Sequence, residues 1–251
     1  MTSEPVIDVT QDWVLACDVQ RSFMQDCFGI SDFADCAGRC RQLRSLGGDC
    51  YSFIPLNDRR LAFYIGDASG KGLAAALMIA NVQSSLRTAA FFADQDLAAV
   101  LTVVNHQSYT ASASNRYATL FYGVFDAESH SLRYVNAGHN SPILLRSNGS
   151  VEHLEAGGPP IGLFADACYV ENTILLNAGD VLLSYTDGVV EASDLSGGEW
   201  GVHRLLQTAL DYTRRPGQDA ETLVDFIFSS MDDFSGGQQD DDATVAVLRV
   251  L

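Results

Sequence analysis

Apolar residues in this chain recur with two periods, and the alternation between them lays out the elements. Residues from about Gln11 to Cys27 carry Trp13, Ala16, Phe23 and Cys27 at roughly helical spacing, which predicts an N-terminal helix. A strand-like run passes through Phe33 to Cys40. CYSFIPL and LAFYIG follow, separated by a reversal at Asn57-Asp58. The stretch from Gly72 to Ala93 is dense in strong helix formers. A second helix begins with Asp96 as N-cap and places Leu97, Val100, Leu101 and Val104 on one face. RYATLFYGVF, SLRYVNAG and PILLRS then read as strands, divided by turn signals at Asp126–Ser129 and Ser147-Asn148-Gly149. A Gly157-Gly158-Pro159-Pro160 loop leads to NTILL and DVLLSYT, helices over His203–Arg214 and Ala220–Phe234, and a last strand, ATVAVLRVL. Most strand connections are short, which favours antiparallel pairing over parallel crossovers. The expected architecture is α+β: two packed antiparallel sheets, each covered by a pair of helices.

Four aspartates mark the boundaries of these strands. Asp49 opens CYSFIPL, Asp67 closes LAFYIG, Asp187 closes VLLSYT, and Asp241 with Asp242 opens the last strand. Pairing across the first turn requires residue numbers that sum to 115 or 116, and Asp49 with Asp67 meets that condition. Two facing carboxylates repel unless something positive lies between them. Oxygen-rich clusters of this kind suit hard divalent cations, Mg²⁺ or Mn²⁺. Neighbouring strand ends of an antiparallel sheet share an edge, so Asp187 and Asp241 are expected to face each other in the same way. Stacked sheets would bring both pairs into one cleft, with room for two cations and an activated water positioned for in-line attack on a phosphate ester.

Composition narrows the alternatives. A formal net charge of -17 over 251 residues, with 15 basic residues, argues against a nucleic-acid partner. No apolar run has the length of a membrane span. The first residues lack the basic start and apolar stretch of a secretory signal, so the expected compartment is the cytoplasm. Cys36 and Cys40 point to one side of a strand and read as small core residues, without the CxxC or histidine spacing of a zinc site. The segment IGDASGKGLAAAL is one residue short of a phosphate-binding loop and has Gly72 where the hydroxyl should stand. Its glycines read instead as a tight strand-to-helix turn that exposes the Ala68 carbonyl. His139, in NAGHNSP, is a candidate proton donor or a hydrogen-bonded structural histidine.

Taken in order, LGGDCYSFIPL, FYIGDASGKGLAAALMIA, RYATLFYGVFD, LRYVNAGHNSPILL, GGPPIGLF, VLLSYTDGVVEA and DDATVAVLRV resemble the metal-dependent serine/threonine protein phosphatases of type 2C. The bacterial branch typified by the stage II sporulation E and RsbU phosphatases is the nearer likeness, and it runs from about Cys17 to the C-terminus. The resemblance implies an αββα sandwich with a centre of two cations, Mn²⁺ or Mg²⁺. By motif position Asp67 would bridge both ions and Asp49 would hold one of them. Asp187 and Asp241 would hold the other, and the Ala68 carbonyl would complete the shell. Asp242 is expected beside the ligands, with the register over Asp240–Asp242 open by one. Many relatives place a further acid where this chain has Ser52. Eukaryotic relatives place a histidine, suspected as general acid, where this chain has Ser69, so the proton donor has no assigned residue.

The function expected from this resemblance is hydrolysis of phosphoserine or phosphothreonine on a regulatory protein partner, such as an anti-sigma-factor antagonist. A non-catalytic binding module with the same fold and a small-molecule phosphoesterase remain as alternatives. Residues 1–27 are expected as a helical extension, a candidate dimerisation or regulatory element, ahead of a phosphatase domain over residues 28–251.

Overall fold

Strands whose two faces are both buried lose the polar-apolar alternation of a surface sheet, and most strands here are of that kind. The computed structural model describes residues 9–24, 32–92, 96–111, 116–155, 157–214 and 219–251. Its elements run α1 (Val9–Phe23), β1 (Ala34–Arg41), β2 (Asp49–Asn57), β3 (Arg60–Ala68), α2 (Leu73–Ala90) and α3 (Leu97–Ala111). Next come β4 (Ala118–Asp126), β5 (Ser131–Ala137), β6 (Ile143–Leu145), β7 (Val151–His153), β8 (Asn172–Leu175) and β9 (Val181–Tyr185). The chain closes with α4 (Asp187–Val190), α5 (Gly201–Thr213), α6 (Ala220–Ser235) and β10 (Ala243–Val250). Two antiparallel five-stranded sheets result, ordered β1-β10-β9-β6-β7 and β2-β3-β4-β5-β8.

Three apolar layers hold these sheets. Between them, Tyr51, Phe53, Phe63 and Phe121 from one sheet meet Leu144, Leu182 and Leu248 from the other. Outside the β2-β3-β4 face, α2 and α3 contribute Ile79, Val82, Leu86, Leu97 and Leu101. Outside the β9-β10 face, α5 and α6 contribute Leu205, Ile227 and Phe228. Helix α6 is closed at both ends in the expected chemistry: the Asp219 side chain accepts from the Thr222 N–H, and Gly236 ends it in the left-handed conformation at φ 64°.

The αββα expectation therefore holds. The β2-β3 pairing also follows the predicted arithmetic from Asp49↔Asp67 through Pro55↔Leu61. A bulge between Pro55 and Asn57 then shifts the register, so the reversal falls at Asp58-Arg59 rather than Asn57-Asp58. Two short elements, β7 and α4, escaped the periodic reading because three or four residues carry no period. Helix α1 ends at Phe23, and Cys27 lies outside the described residues, as does Ala93. Of the predicted face of α1, Ala16 packs against Cys17, Leu46 and Ala76 and Phe23 is half-buried, whereas Trp13 is exposed; Gln20 also turns inward, and Val14, Leu15 and Val19 face out.

Asp96 caps α3 as read from the sequence, its side chain accepting from the Ala98 N–H at 2.9 Å. A second acceptor comes from far along the chain. Glu171 Oε2 accepts from the Leu97 N–H at 2.7 Å, while Arg133 donates to both Glu171 oxygens at 2.6 and 2.9 Å. This half-buried arrangement ties α3 to the sheet it covers. Glu171→Ala is expected to destabilise the fold by about 2 kcal/mol in urea unfolding, more than Asp96→Ala at the exposed side of the same helix start. Equal effects of the two substitutions would show that Glu171 is only a local cap.

A candidate metal centre at one edge of the sandwich

Asp49 and Asp67 stand directly opposite each other at the end of the β2-β3 ladder. Asp49 is almost completely buried, at 1% exposure, and its carboxylate is held from the other sheet. Both the Thr186 and Thr244 hydroxyls donate to Asp49 Oδ2 at 2.7 Å. Those threonines are themselves joined, since the Thr244 N–H donates to Thr186 Oγ1 at 2.9 Å and the Thr186 N–H to the Thr244 carbonyl at 3.0 Å. One oxygen of Asp49 is thus fixed by two hydroxyls, and the carboxylate is aimed at the edge where Asp67 ends β3.

Asp187 and Asp241 reach this edge differently from the way the sequence suggested. They do not pair across the β9-β10 ladder, whose register sets Val245 opposite Tyr185. Asp187 instead opens the one-turn helix α4, and Asp241 precedes β10 by two residues. The two segments meet closely at Gly188, where a Cβ would lie 2.0 Å from the Asp242 carbonyl oxygen. Only glycine allows that approach, which accounts for the TDG sequence. On the other sheet a Cβ on Gly48 would lie 2.9 Å from the Ala68 carbonyl oxygen and 3.4 Å from Asp67 Oδ1, crowding the same edge.

The electrostatics follow from this crowding. Burial first, and then the charge of Asp67, push the Asp49 carboxyl well above its ordinary range. The Asp67 carboxyl is raised by burial and then by Asp187, Asp241 and Asp242. Asp187 is raised by burial and by Asp241. Carboxylates from both sheets therefore feel one another strongly, and their oxygen donors fit a hard divalent cation in chemistry and charge. Among the described residues no three acidic, histidine or cysteine side chains are gathered tightly enough to enclose an ion as they stand. Asp241 is already engaged at both oxygens. Its Oδ1 accepts from the Asp242 N–H at 2.9 Å, and its Oδ2 meets Lys71 Nζ at 2.7 Å.

Asp242 has a different task. Its Oδ1 accepts from the Leu43 N–H and its Oδ2 from the Gly48 N–H, both at 2.7 Å. With both oxygens committed to backbone, Asp242 pins the segment leading into Asp49 against the start of β10. Gln20 of α1 braces the same segment, donating from Nε2 to the Gly47 carbonyl at 2.7 Å and accepting from the Gly47 N–H at 3.2 Å.

Ser69 and His139 lie near this edge in supporting positions. Ser69 closes the turn after β3: its N–H donates to the Tyr117 carbonyl, and its hydroxyl accepts from the Tyr117 N–H. His139 is buried, with Nδ1 at 2.8 Å from the Thr119 hydroxyl and its N–H donating to Asn136 Oδ1. The sequence reading missed Thr186, Thr244 and Gln20. The threonines flank the predicted ligands in SYTDG and DDATV, a signal that strand parity could have picked up. Gln20 gave none, because its partner is a backbone group 27 residues away.

An edge where two stacked antiparallel sheets each present aspartates, under helix pairs on both outer faces, defines the class of type 2C phosphatase folds. The chain belongs to the stage II sporulation protein E (SpoIIE) family, whose sequence profile matches residues 57–251. It is similar to the phosphoserine phosphatase RsbU of Bacillus subtilis, at 25% identity over 248 residues, covering 96% of this chain and 71% of RsbU. The curated relatives it matches are longer proteins, of which it spans from 24% to 71%. Among solved structures, the SiaA type 2C domain of Pseudomonas aeruginosa superposes with a TM-score of 0.81 at 19% identity, covering 96% of each chain. The catalytic domain of the phosphatase PstP, solved with 2 manganese ions, gives a TM-score of 0.62 at 18% identity over 87% of this chain and 99% of that one. Both likenesses establish the fold. Among the described residues no helix is long and apolar enough to cross a membrane.

Burial holds the His139 imidazole down at about 4, below its ordinary 6.5, so the folded state keeps it neutral. A lowered folded-state value means that the unfolded chain binds the extra proton first. Its contribution is complete above pH 6.5 and is lost as the pH falls toward 4, by about 3 kcal/mol. In chelator-treated protein, His139→Gln is expected to flatten this acid limb relative to the parent chain in urea unfolding at stepped pH. Parallel stability curves for the two proteins over pH 4 to 6.5 would refute the assignment.

Proposed function

We propose that this chain is a metal-dependent phosphatase acting on phosphoserine or phosphothreonine of a protein partner. The observation that carries the reading is the convergence of Asp49 and Asp67 from one sheet with Asp187 and Asp241 from the other, with the Asp49, Asp67 and Asp187 carboxyls raised by burial and by neighbouring charge. A scaffold without turnover would have no reason to retain such a repulsive group beside a well-packed core. Asp49, Asp67 and the Ala68 carbonyl would hold one divalent cation, and Asp187 and Asp241 a second, with Asp67 shared. When bound, Mn²⁺ or Mg²⁺ supplies charge neutralisation for the phosphoryl oxygens and lowers the proton affinity of water.

The chain's own residues make that centre rigid. Thr186 and Thr244 fix one Asp49 oxygen and leave the other for a ligand. Asp242 and Gln20 hold the Leu43–Gly48 segment, so Asp49 cannot withdraw as its charge is compensated. Such preorganisation removes reorganisation cost from the reaction. The name of RsbU, a phosphoserine phosphatase, supports phosphoserine as the group hydrolysed, and a regulatory protein such as an anti-sigma-factor antagonist is the partner we favour.

We further infer that α1 is a dimerisation element. Its inner side packs on the domain through Ala16, Cys17 and Gln20, while Val14 (54% exposed), Leu15 and Val19 present apolar side chains outward.

Two measurements test these readings. Hydrolysis of p-nitrophenyl phosphate is expected to require Mn²⁺ and to fall on the order of a hundredfold in Asp67→Asn, with a phosphoserine protein turned over at higher kcat/KM. Metal-independent turnover, or equal turnover in the variant, would remove the proposed chemistry. For α1, light scattering at micromolar concentration is expected to give twice the chain mass, and the single-chain mass for Val14→Glu with Val19→Glu. A monomeric parent chain would sink the dimer.

A further inference from the structure

Lys71 is a cation that the chain itself supplies to its acidic edge. It follows the turn after β3, yet its ammonium crosses to the other sheet, meeting Asp241 Oδ2 at 2.7 Å and the Asp240 carbonyl at 2.9 Å. Asp241 Oδ1 is bound to the Asp242 N–H, so Oδ2 is the oxygen that Asp241 can offer elsewhere, and Lys71 covers it. The Asp242 N–H bond is backbone and fixed, with Asp242 itself pinned at both oxygens. The Lys71 bond is made by a flexible side chain that is 44% exposed.

An acidic cavity lies alongside. It measures about 240 Å³ and opens next to Asp241, lined by Lys71, Glu191, Glu199, Gln238, Gln239 and Asp240, among others. Glu191 is close enough to this edge to feel both Asp187 and Lys71. An ammonium leaving Asp241 can therefore move into acidic surroundings without being stranded.

We propose that Lys71 is an internal competitor for the cation at the Asp187–Asp241 half of the site, seated on Asp241 when that half holds no cation and displaced toward Glu191 and Glu199 when a divalent ion binds. This rests on the metal-centre reading above and adds a residue that sets how tightly the centre holds its ion. The sign is fixed by Coulomb's law: a positive charge that shares a carboxylate with a divalent ion weakens its binding. The magnitude is limited because the pair is partly exposed and screened.

Calorimetric titration with Mn²⁺ tests the proposal without recourse to activity. Lys71→Met is expected to bind Mn²⁺ about fivefold tighter than the parent chain, while Lys71→Arg, which keeps the charge, stays within about twofold. Unchanged or weaker binding in Lys71→Met overturns the competitor role and makes Lys71 a tether for Asp241. Asp67→Asn separates this from failure of the site itself: Mn²⁺ binding that persists unchanged in Asp67→Asn would instead overturn the assignment of the metal centre. Circular dichroism of each variant verifies that the fold is retained.

Discussion

Asp49 is carried by one sheet and held by the other, and the geometry of the acidic edge depends on that division. A carboxylate buried to 1% exposure is strongly disfavoured unless donors take up its charge. Here the donors are the hydroxyls of Thr186 and Thr244, which face each other at the end of the β9-β10 ladder. Any slip of one sheet over the other would separate Asp49 from both hydroxyls and leave a buried charge unpaired. The apolar layer between the sheets supplies adhesion and close packing. The Asp49 bonds supply registration, and through it they set Asp67 against Asp187 and Asp241.

A second tie crosses the same edge in the opposite direction. Asp242 belongs to the sheet of β10 and holds the backbone that leads into β2, with Leu43 and Gly48 as its partners. The two aspartates thus exchange places: each is anchored in one sheet and satisfied by the other. Gly47 is a glycine at this crossing, where a Cβ would lie 2.4 Å from Asp242 Oδ2, while Gly48 and Gly188 allow close approach between neighbouring segments of their own sheets. Gln20 extends the network to α1, so the N-terminal helix is bonded to a residue two positions from Asp49. A displacement of α1 would be felt at Gly47 as well as at its contacts with Leu46, Ala76 and Arg87.

Much of this was legible in the sequence, and the limits have a physical cause. The β2-β3 ladder could be placed because one turn fixes the register of a hairpin, and Asp49 and Asp67 are related by that single local constraint. The four aspartates, the Asp96 cap and the helix pairs are likewise local signals. Asp187 and Asp241 were correctly taken as neighbours but for the wrong reason, since a one-turn helix and a glycine contact bring them together rather than strand pairing. The residues that escaped notice, Thr186, Thr244, Gln20 and Glu171, act on partners 27 to 195 residues away. Their side chains are ordinary in their own segments, and their meaning comes only from what the fold sets beside them.

The remaining tension in the structure is electrostatic, and it is confined. Away from the edge, local preference and tertiary packing agree in the Asp96 and Asp219 helix caps, the buried strands and the aromatic side chains between the sheets. At the edge they conflict, with carboxyl groups raised by burial and by one another in a chain already at a net charge of -17. Such conflict persists only where the surrounding structure over-determines it, and the threonine pair, Asp242 and Gln20 are what over-determine it here. A divalent cation is the ligand that would turn this conflict into binding energy, because it stabilises the folded chain by association with groups that the unfolded chain keeps apart. The same reasoning explains why a lysine is tolerated among the carboxylates. Lys71 lessens the repulsion at Asp241 through a bond loose enough to break, and so moderates the edge without closing it.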